Sequence, residues 1–241
     1  MAAFHAANSV EVPIDLQRVK IERPAMLDNF VLPLPPPRVP SDIEMDELAD
    51  RAGIDPLAYR LSVLSDPRAR KLLESVGERS NWAARGPAGT GRGLGLAWSR
   101  YKNRAAYAAV AVELDVDKEV RLRRVWCAVD AGLVINPDGA KNQVEGGIVH
   151  AASMTLKERV LIEGDGIVSL DWDSYPILKF SEVPEIDTVI MHNPDMPTLG
   201  MGECTFGPTA AAIGNAVAHA LGVLEIDLRD LHLANLDLLF A

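Results

Sequence analysis

The stretch GMGECTFGPTAAAIGN, Gly200 to Asn215, sets one carboxylate, Glu203, between glycine-bearing turns and the start of an alanine-rich helix. Glycine has no side chain to hold a ligand away, so backbone here can be approached closely, and a carboxylate in such a loop is placed for general acid or base work. The plain alternative is a helix cap or a surface charge. Other chemistries find less support. The five histidines, His5, His150, His192, His219 and His232, form neither H-x-x-H nor H-E-x-x-H, so a zinc site lacks its usual spacing. No G-x-S-x-G elbow offers a serine nucleophile, and neither Cys127 nor Cys204 has an obvious histidine partner in sequence. The glycines of GPAGTGRGLGLAWS, read as a loop, fit neither the dinucleotide fingerprint nor the P-loop.

Composition narrows the classes further. A chain of 241 residues with 48% hydrophobic content can bury one sizeable core or two small lobes. A net charge of −10 argues against nucleic acid, whose binding needs clustered Lys and Arg to neutralise phosphates. The two cysteines fit no CxxC pattern and read as buried free thiols in a reducing compartment. The stretch MAAFHAANSVEVPID lacks the basic start and apolar core of a signal peptide, and nothing approaches the ~20 apolar residues of a membrane span, so a cytoplasmic location is expected.

The elements that must position Glu203 are legible in outline. VLPLPPPRVP, with five prolines between Pro33 and Pro40, predicts that residues 1–40 form an extended, proline-rich interaction arm. SDIE at Ser41–Glu44 has capping-box spacing for a helix that stops near Gly53. Asp55-Pro56 and Asp66-Pro67 each place a capping carboxylate before a proline suited to a first helical turn, so three short helices follow one another. AAYAAVAVELDV and EVRLRRVWCAVD alternate as paired strands do. A long helix is expected from Pro137 to Arg159, a hairpin at EGDG, strands through EIDTVIMHN, and a last helix ending at Gly222. The fold class is α+β: short N-terminal helices, then a mixed sheet with packed helices, over residues 41–241.

Three stretches, in order, resemble the molybdenum hydroxylases, the xanthine dehydrogenase and aldehyde oxidase family. VWCAVDAGLVINPDGAKNQVEGGIVHAASMTLKE is similar to the family's pattern of Asp, Gly, Asn-Pro and Gln-x-Glu-Gly, here Asp130, Gly132, Asn136, Pro137, Gln143, Glu145 and Gly146. DELADRAGIDPLAYRLSVLSDPRARKLLESVGERSNW with GRGLGLAWSRY looks like the preceding segment, closest to the family's isoquinoline 1-oxidoreductase-like branch. GMGECTFGPTAAAIGNAVAHALG is similar to the family's Gly-x-Gly-Glu segment and the helix after it.

The resemblance implies the C-terminal part of a molybdopterin-binding large subunit. In this family the metal is held by a pterin dithiolene and by oxo, sulfido and hydroxo ligands, which implies no cluster of protein ligands and no directly metal-binding residue here. Glu203 aligns with the general base, which accepts a proton while oxygen from water is delivered to an electrophilic carbon of an N-heterocycle or aldehyde. Gln143, Gly200, Met201, Gly202, Asp130 and Asn136 align with cofactor-facing positions; structural turns and helix surface are the alternatives for Asp130, Asn136 and Gln143. The implied cofactor is molybdenum–molybdopterin in its cytosine dinucleotide form. Family molybdenum subunits are longer, which implies a partner chain carrying the remaining molybdenum-domain segments, and iron–sulfur clusters and FAD would sit on further partners. A non-catalytic scaffold module that keeps the fold is the competing expectation.

Overall fold

The computed structural model describes residues 42–223. The expected arm at 1–40 and the capping role of Ser41 lie outside the described residues. Three short helices open the described chain: α1 (Asp42–Ala52), α2 (Pro56–Val63) and α3 (Pro67–Arg79). Their starts follow the sequence signals. The Asp55 carboxylate accepts from Leu57 and Ala58 N–H at 3.0 and 2.9 Å, Asp66 accepts from Arg68 N–H at 2.9 Å, and Pro56 and Pro67 occupy the first turns. Gly53 ends α1 with a left-handed backbone, φ 65°.

A four-stranded mixed sheet follows, built from β1 (Arg92–Arg100), β2 (Tyr107–Val116), β3 (Val120–Asp130) and β6 (Glu185–Ile190), in the order β1-β2-β3-β6. The first two neighbour pairs are antiparallel, and β6 joins β3 in parallel, with Cys127 opposite Thr188. Parallel pairing needs a crossover. It is supplied by α4 (Pro137–Leu156) and by a small hairpin, β4 (Ile162–Glu163) with β5 (Gly166–Ile167). The last element is α5 (Phe206–Leu221), closed by Gly222 in the left-handed region.

Side-chain alternation divides the sheet's two faces. Ala108, Val110, Val112 and Leu114 of β2 join Val125, Cys127 and Val129 of β3 in a core shared with α4 and α5. Tyr107, Ala109 and Ala111, with Trp126 and Ala128, pack on the other face against Leu72, Leu73 and Val76 of α3. Both cysteines are free and buried.

Residues 92–100, read from their glycines as loop, form an edge strand instead. The reason is the closeness of α5. A Cβ on Gly93 would lie 1.9 Å from the Ala216 carbonyl oxygen, and one on Gly95 would lie 2.2 Å from Ala216 N and 2.5 Å from Ala212 O. The glycines are there for the helix to rest on, not for a turn.

Gly95→Ala should therefore destabilise the chain by about 1–3 kcal/mol in denaturant melts, because backbone on both sides must move to admit one methyl group. Gly146→Ala, on α4 where a Cβ would meet nothing within 4 Å, should be neutral or stabilising.

Candidate functional site

Glu203 lies in the turn just before α5, exposed to solvent. Its loop is fastened from three directions. Ala106 N–H donates to the Gly200 carbonyl at 3.1 Å, tying the loop to the β1–β2 connection. The Gln143 side-chain amide, from the exposed face of α4, donates to the Gly202 carbonyl at 2.6 Å. The Tyr101 hydroxyl donates to Oε2 of Glu203 itself. Behind the turn, α4 approaches so closely that a Cβ on Gly147 would sit 2.5 Å from Thr205 Oγ1.

The outer side of the loop is bare. A Cβ on Gly200 or on Gly202 would meet no atom within 4 Å, so the backbone there is open to a ligand's approach. Met201 differs: it is half-buried and its side chain packs on the core. Glu203, Gln143 and the Gly200–Gly202 backbone thus come together as one surface.

Asp130 and Asn136 are engaged in local hydrogen bonds. Asp130 is buried at the end of β3 and takes four hydrogen bonds: two from the Arg68 guanidinium at 2.6 and 2.7 Å, one from Asn193 at 2.7 Å and one from Gly132 N–H at 3.0 Å. Burial opposes its charge, but Arg68, the Gly132 amide and Asn193 outweigh that and hold the carboxyl below its ordinary range. Asn136 caps α4, accepting from Gly139 N–H at 3.0 Å. With Gly132 left-handed (φ 69°) against the Pro197 carbonyl, these residues shape the turn along which the segment leading to Gly200 runs.

Sequence alone does not single out Tyr101, since 102 residues separate it from Glu203. Burial and the Glu203 contact together push its hydroxyl above the ordinary tyrosine range. Among the described residues no group of three or more His, Cys, Asp or Glu side chains is arranged to hold a metal ion. Burial pushes the Cys127 thiol well up and Cys204 up to about 12, so both stay protonated and poor as ligands.

A molybdopterin cofactor-binding domain profile matches residues 68–184. A nicotinate dehydrogenase chain from Pseudomonas putida is 38% identical over 195 residues, covering 74% of this chain and 16% of that protein. An isoquinoline 1-oxidoreductase chain, the beta one, from Brevundimonas diminuta is 36% identical, covering 74% of this chain and 23% of that protein. This chain belongs to the molybdenum hydroxylase family. The crystal structure of Desulfovibrio gigas aldehyde oxidoreductase, 13% identical, superposes with a TM-score of 0.65 over 83% of this chain and 40% of its own, which shows a shared α+β fold. The chain therefore spans 16% and 23% of the two sequence relatives, and the profile carries Asp130, Asn136 and Gln143 while Glu203 lies beyond its edge.

An open cleft of about 720 Å³ lies elsewhere, lined by Asp55, Glu78, Trp82, Arg85 and His219 among others. His219 stands thirteen residues along α5 from Phe206, so roughly 20 Å of helix separates this cleft from the Glu203 turn. Its ring accepts from Leu94 N–H at Nδ1 (3.2 Å) and its Nε2–H points to the Gly86 carbonyl (3.1 Å), an assignment that requires the neutral form. Burial first, then the Arg85 charge, lowers its pKa from 6.5 to about 4 despite the Gly86 carbonyl.

The unfolded chain takes up this proton as pH falls through 6.5, and the folded chain only near 4. The contribution of His219 is thus complete above pH 6.5 and is lost as pH falls toward 4, roughly 1–2 kcal/mol after solvent screening. Denaturant melts between those limits should show this slope, and His219→Gln should flatten it.

Proposed function

We propose that this chain supplies the Glu203-bearing wall of the molybdopterin site in a cytoplasmic molybdenum hydroxylase. Its substrate class is an N-heterocycle, hydroxylated at a carbon beside nitrogen, or an aldehyde, with water as the oxygen source. The observation that carries this reading is the juxtaposition of an exposed, hydrogen-bonded carboxylate with two glycines whose outer sides are open. That surface fits a large flat cofactor held by contacts to backbone and amide groups, and it asks for no ligand cluster from the protein. When bound, the molybdenum cofactor supplies the two-electron redox chemistry.

The chain's own residues have distinct tasks. Glu203 accepts the proton released as oxygen is delivered to the substrate carbon, a role worth ~10²–10⁴-fold in rate. Gly200, Met201 and Gly202 present backbone to the cofactor, the glycines by leaving room and Met201 by anchoring the loop to the core. Gln143 fixes the Gly202 carbonyl and faces the same surface. Asp130 and Asn136 serve the site indirectly, through the turn and the helix cap that set the loop's path. The cytosine dinucleotide form of the cofactor and the opposite wall fall to a partner chain bearing the other molybdenum-domain segments. Electrons leave through iron–sulfur clusters and FAD on further partners, since this chain has only two cysteines and both are buried.

Co-expression with the remaining segments should give a complex containing molybdenum and pterin. In that complex Glu203→Gln should keep the metal content and lower kcat by ~10²-fold or more, since the amide keeps the shape but cannot take the proton. Turnover within a few-fold of wild type in the loaded variant overturns the base assignment. A stable complex without metal would support the non-catalytic scaffold instead.

A further inference from the structure

Tyr101 opens a short helical turn, Tyr101–Asn103, directly after β1. Two consecutive non-glycine residues of that turn, Lys102 and Asn103, hold left-handed backbone angles, φ 50° and 56°. Such a state is uncommon for side-chain-bearing residues and persists where surrounding contacts over-determine it. The contacts are visible: Tyr101 N–H donates to Ala106 O at 2.9 Å, Ala105 N–H donates to Tyr101 O at 2.9 Å, and Ala106 N–H reaches the Gly200 carbonyl. The Tyr101 ring packs on the same core as Leu199 and Met201, and the Lys102 ammonium lies over its face at 4.9 Å. Packing thus fixes the ring, and the ring delivers its hydroxyl to Glu203.

We infer that Tyr101 is a positioning residue for Glu203, donating to Oε2 so that the other carboxylate oxygen faces the proton to be taken. This rests on the reading of Glu203 as the base. A carboxylate on an exposed loop samples several rotamers, and a general base works only within hydrogen-bond reach of its proton. A donor anchored in the core removes that freedom without occupying the second oxygen. Loss of that donor should therefore lower the rate without loosening substrate binding.

Two measurements test this. In the 241-residue chain carrying isotope-labelled tyrosine, the Tyr101 ring signal, assigned by its loss in Tyr101→Phe, should move on Glu203→Ala and stay put on Glu145→Ala. In the assembled enzyme, Tyr101→Phe should lower kcat about tenfold with KM and metal content unchanged. An unmoved ring signal denies the contact and overturns the proposal. A shifted signal with a Tyr101→Phe kcat within roughly twofold of wild type, or a kcat loss matched by a loss of metal, makes Tyr101 merely structural and overturns it too. If Glu203→Gln retains turnover, the base reading fails and the positioning role falls with it, although the shifted signal would still report the contact.

Discussion

Close contact between α5 and β1 governs the geometry of everything around Glu203. A helix is normally held off a sheet by the side chains that fill the gap; here Gly93 and Gly95 have none, and the Ala212, Ala216 and Ala220 side of α5 lies almost on the strand backbone. The contact also sets register. Strand and helix run in opposite directions, Gly93 meeting Ala216 and Ala220 and Gly95 meeting Ala212 and Ala216. Six further residues of strand and turn carry β1 from Gly95 to Tyr101, up to about 20 Å, while about 9 Å of helix and a tight turn lead back from Ala212 to Glu203, the two side chains spanning the remainder. The glycine seam at one end therefore brings tyrosine and glutamate together at the other.

A second anchor fixes the segment that leads into the loop. Asp130, at the end of β3, gathers Arg68 from α3, Asn193 from beyond β6 and its own Gly132 amide into one hydrogen-bonded centre. Removing Arg68 would leave the buried Asp130 carboxylate without its charged partner, which destabilises the fold. Its geometric effect is local: Leu133 N–H to Met196 O at 3.0 Å and Leu199 N–H to Ala131 O at 2.9 Å lay the returning segment along the β3 exit. That segment ends at Gly200. The Glu203 turn is thus suspended between a helix whose depth is set by glycines and a loop whose path is set by a buried carboxylate.

The sequence spoke clearly where local rules act. Asp-Pro pairs marked the starts of α2 and α3, alternation marked β2 and β3, and Asn136-Pro137 with the left-handed Gly222 marked ends of the two long helices. It misled at Gly93 and Gly95, because a glycine that makes room for another backbone is indistinguishable in sequence from one that makes a turn. It was silent on the parallel β3–β6 pair and on the contacts of Tyr101 with Glu203 and Arg68 with Asp130, which join residues 102 and 62 positions apart. The glycine–glutamate grammar pointed to this loop; only tertiary packing shows what holds it.

The chain's inner and outer surfaces obey different logic, and that difference bears on how a site of this kind works. Inward, the loop has its Gly200 and Gly202 carbonyls paired and its turn pressed on Gly147, and Tyr101 packs on the core beside it. Outward, Glu203 and the two glycines face solvent, and the β4–β5 hairpin region also exposes Ile162, Leu170, Trp172 and Phe180. A carboxylate that must take a proton in a defined direction benefits from a rigid back and a dry front, since electrostatic guidance weakens sharply in water. This chain provides the back. The outer side of the loop is open among the described residues, and the chain spans 16% and 23% of the two sequence relatives' lengths. A rigid back also has an energetic consequence: a loop already fixed at its three tethers loses little further freedom when a ligand settles on its open side, so little of the binding energy is spent on ordering the carboxylate.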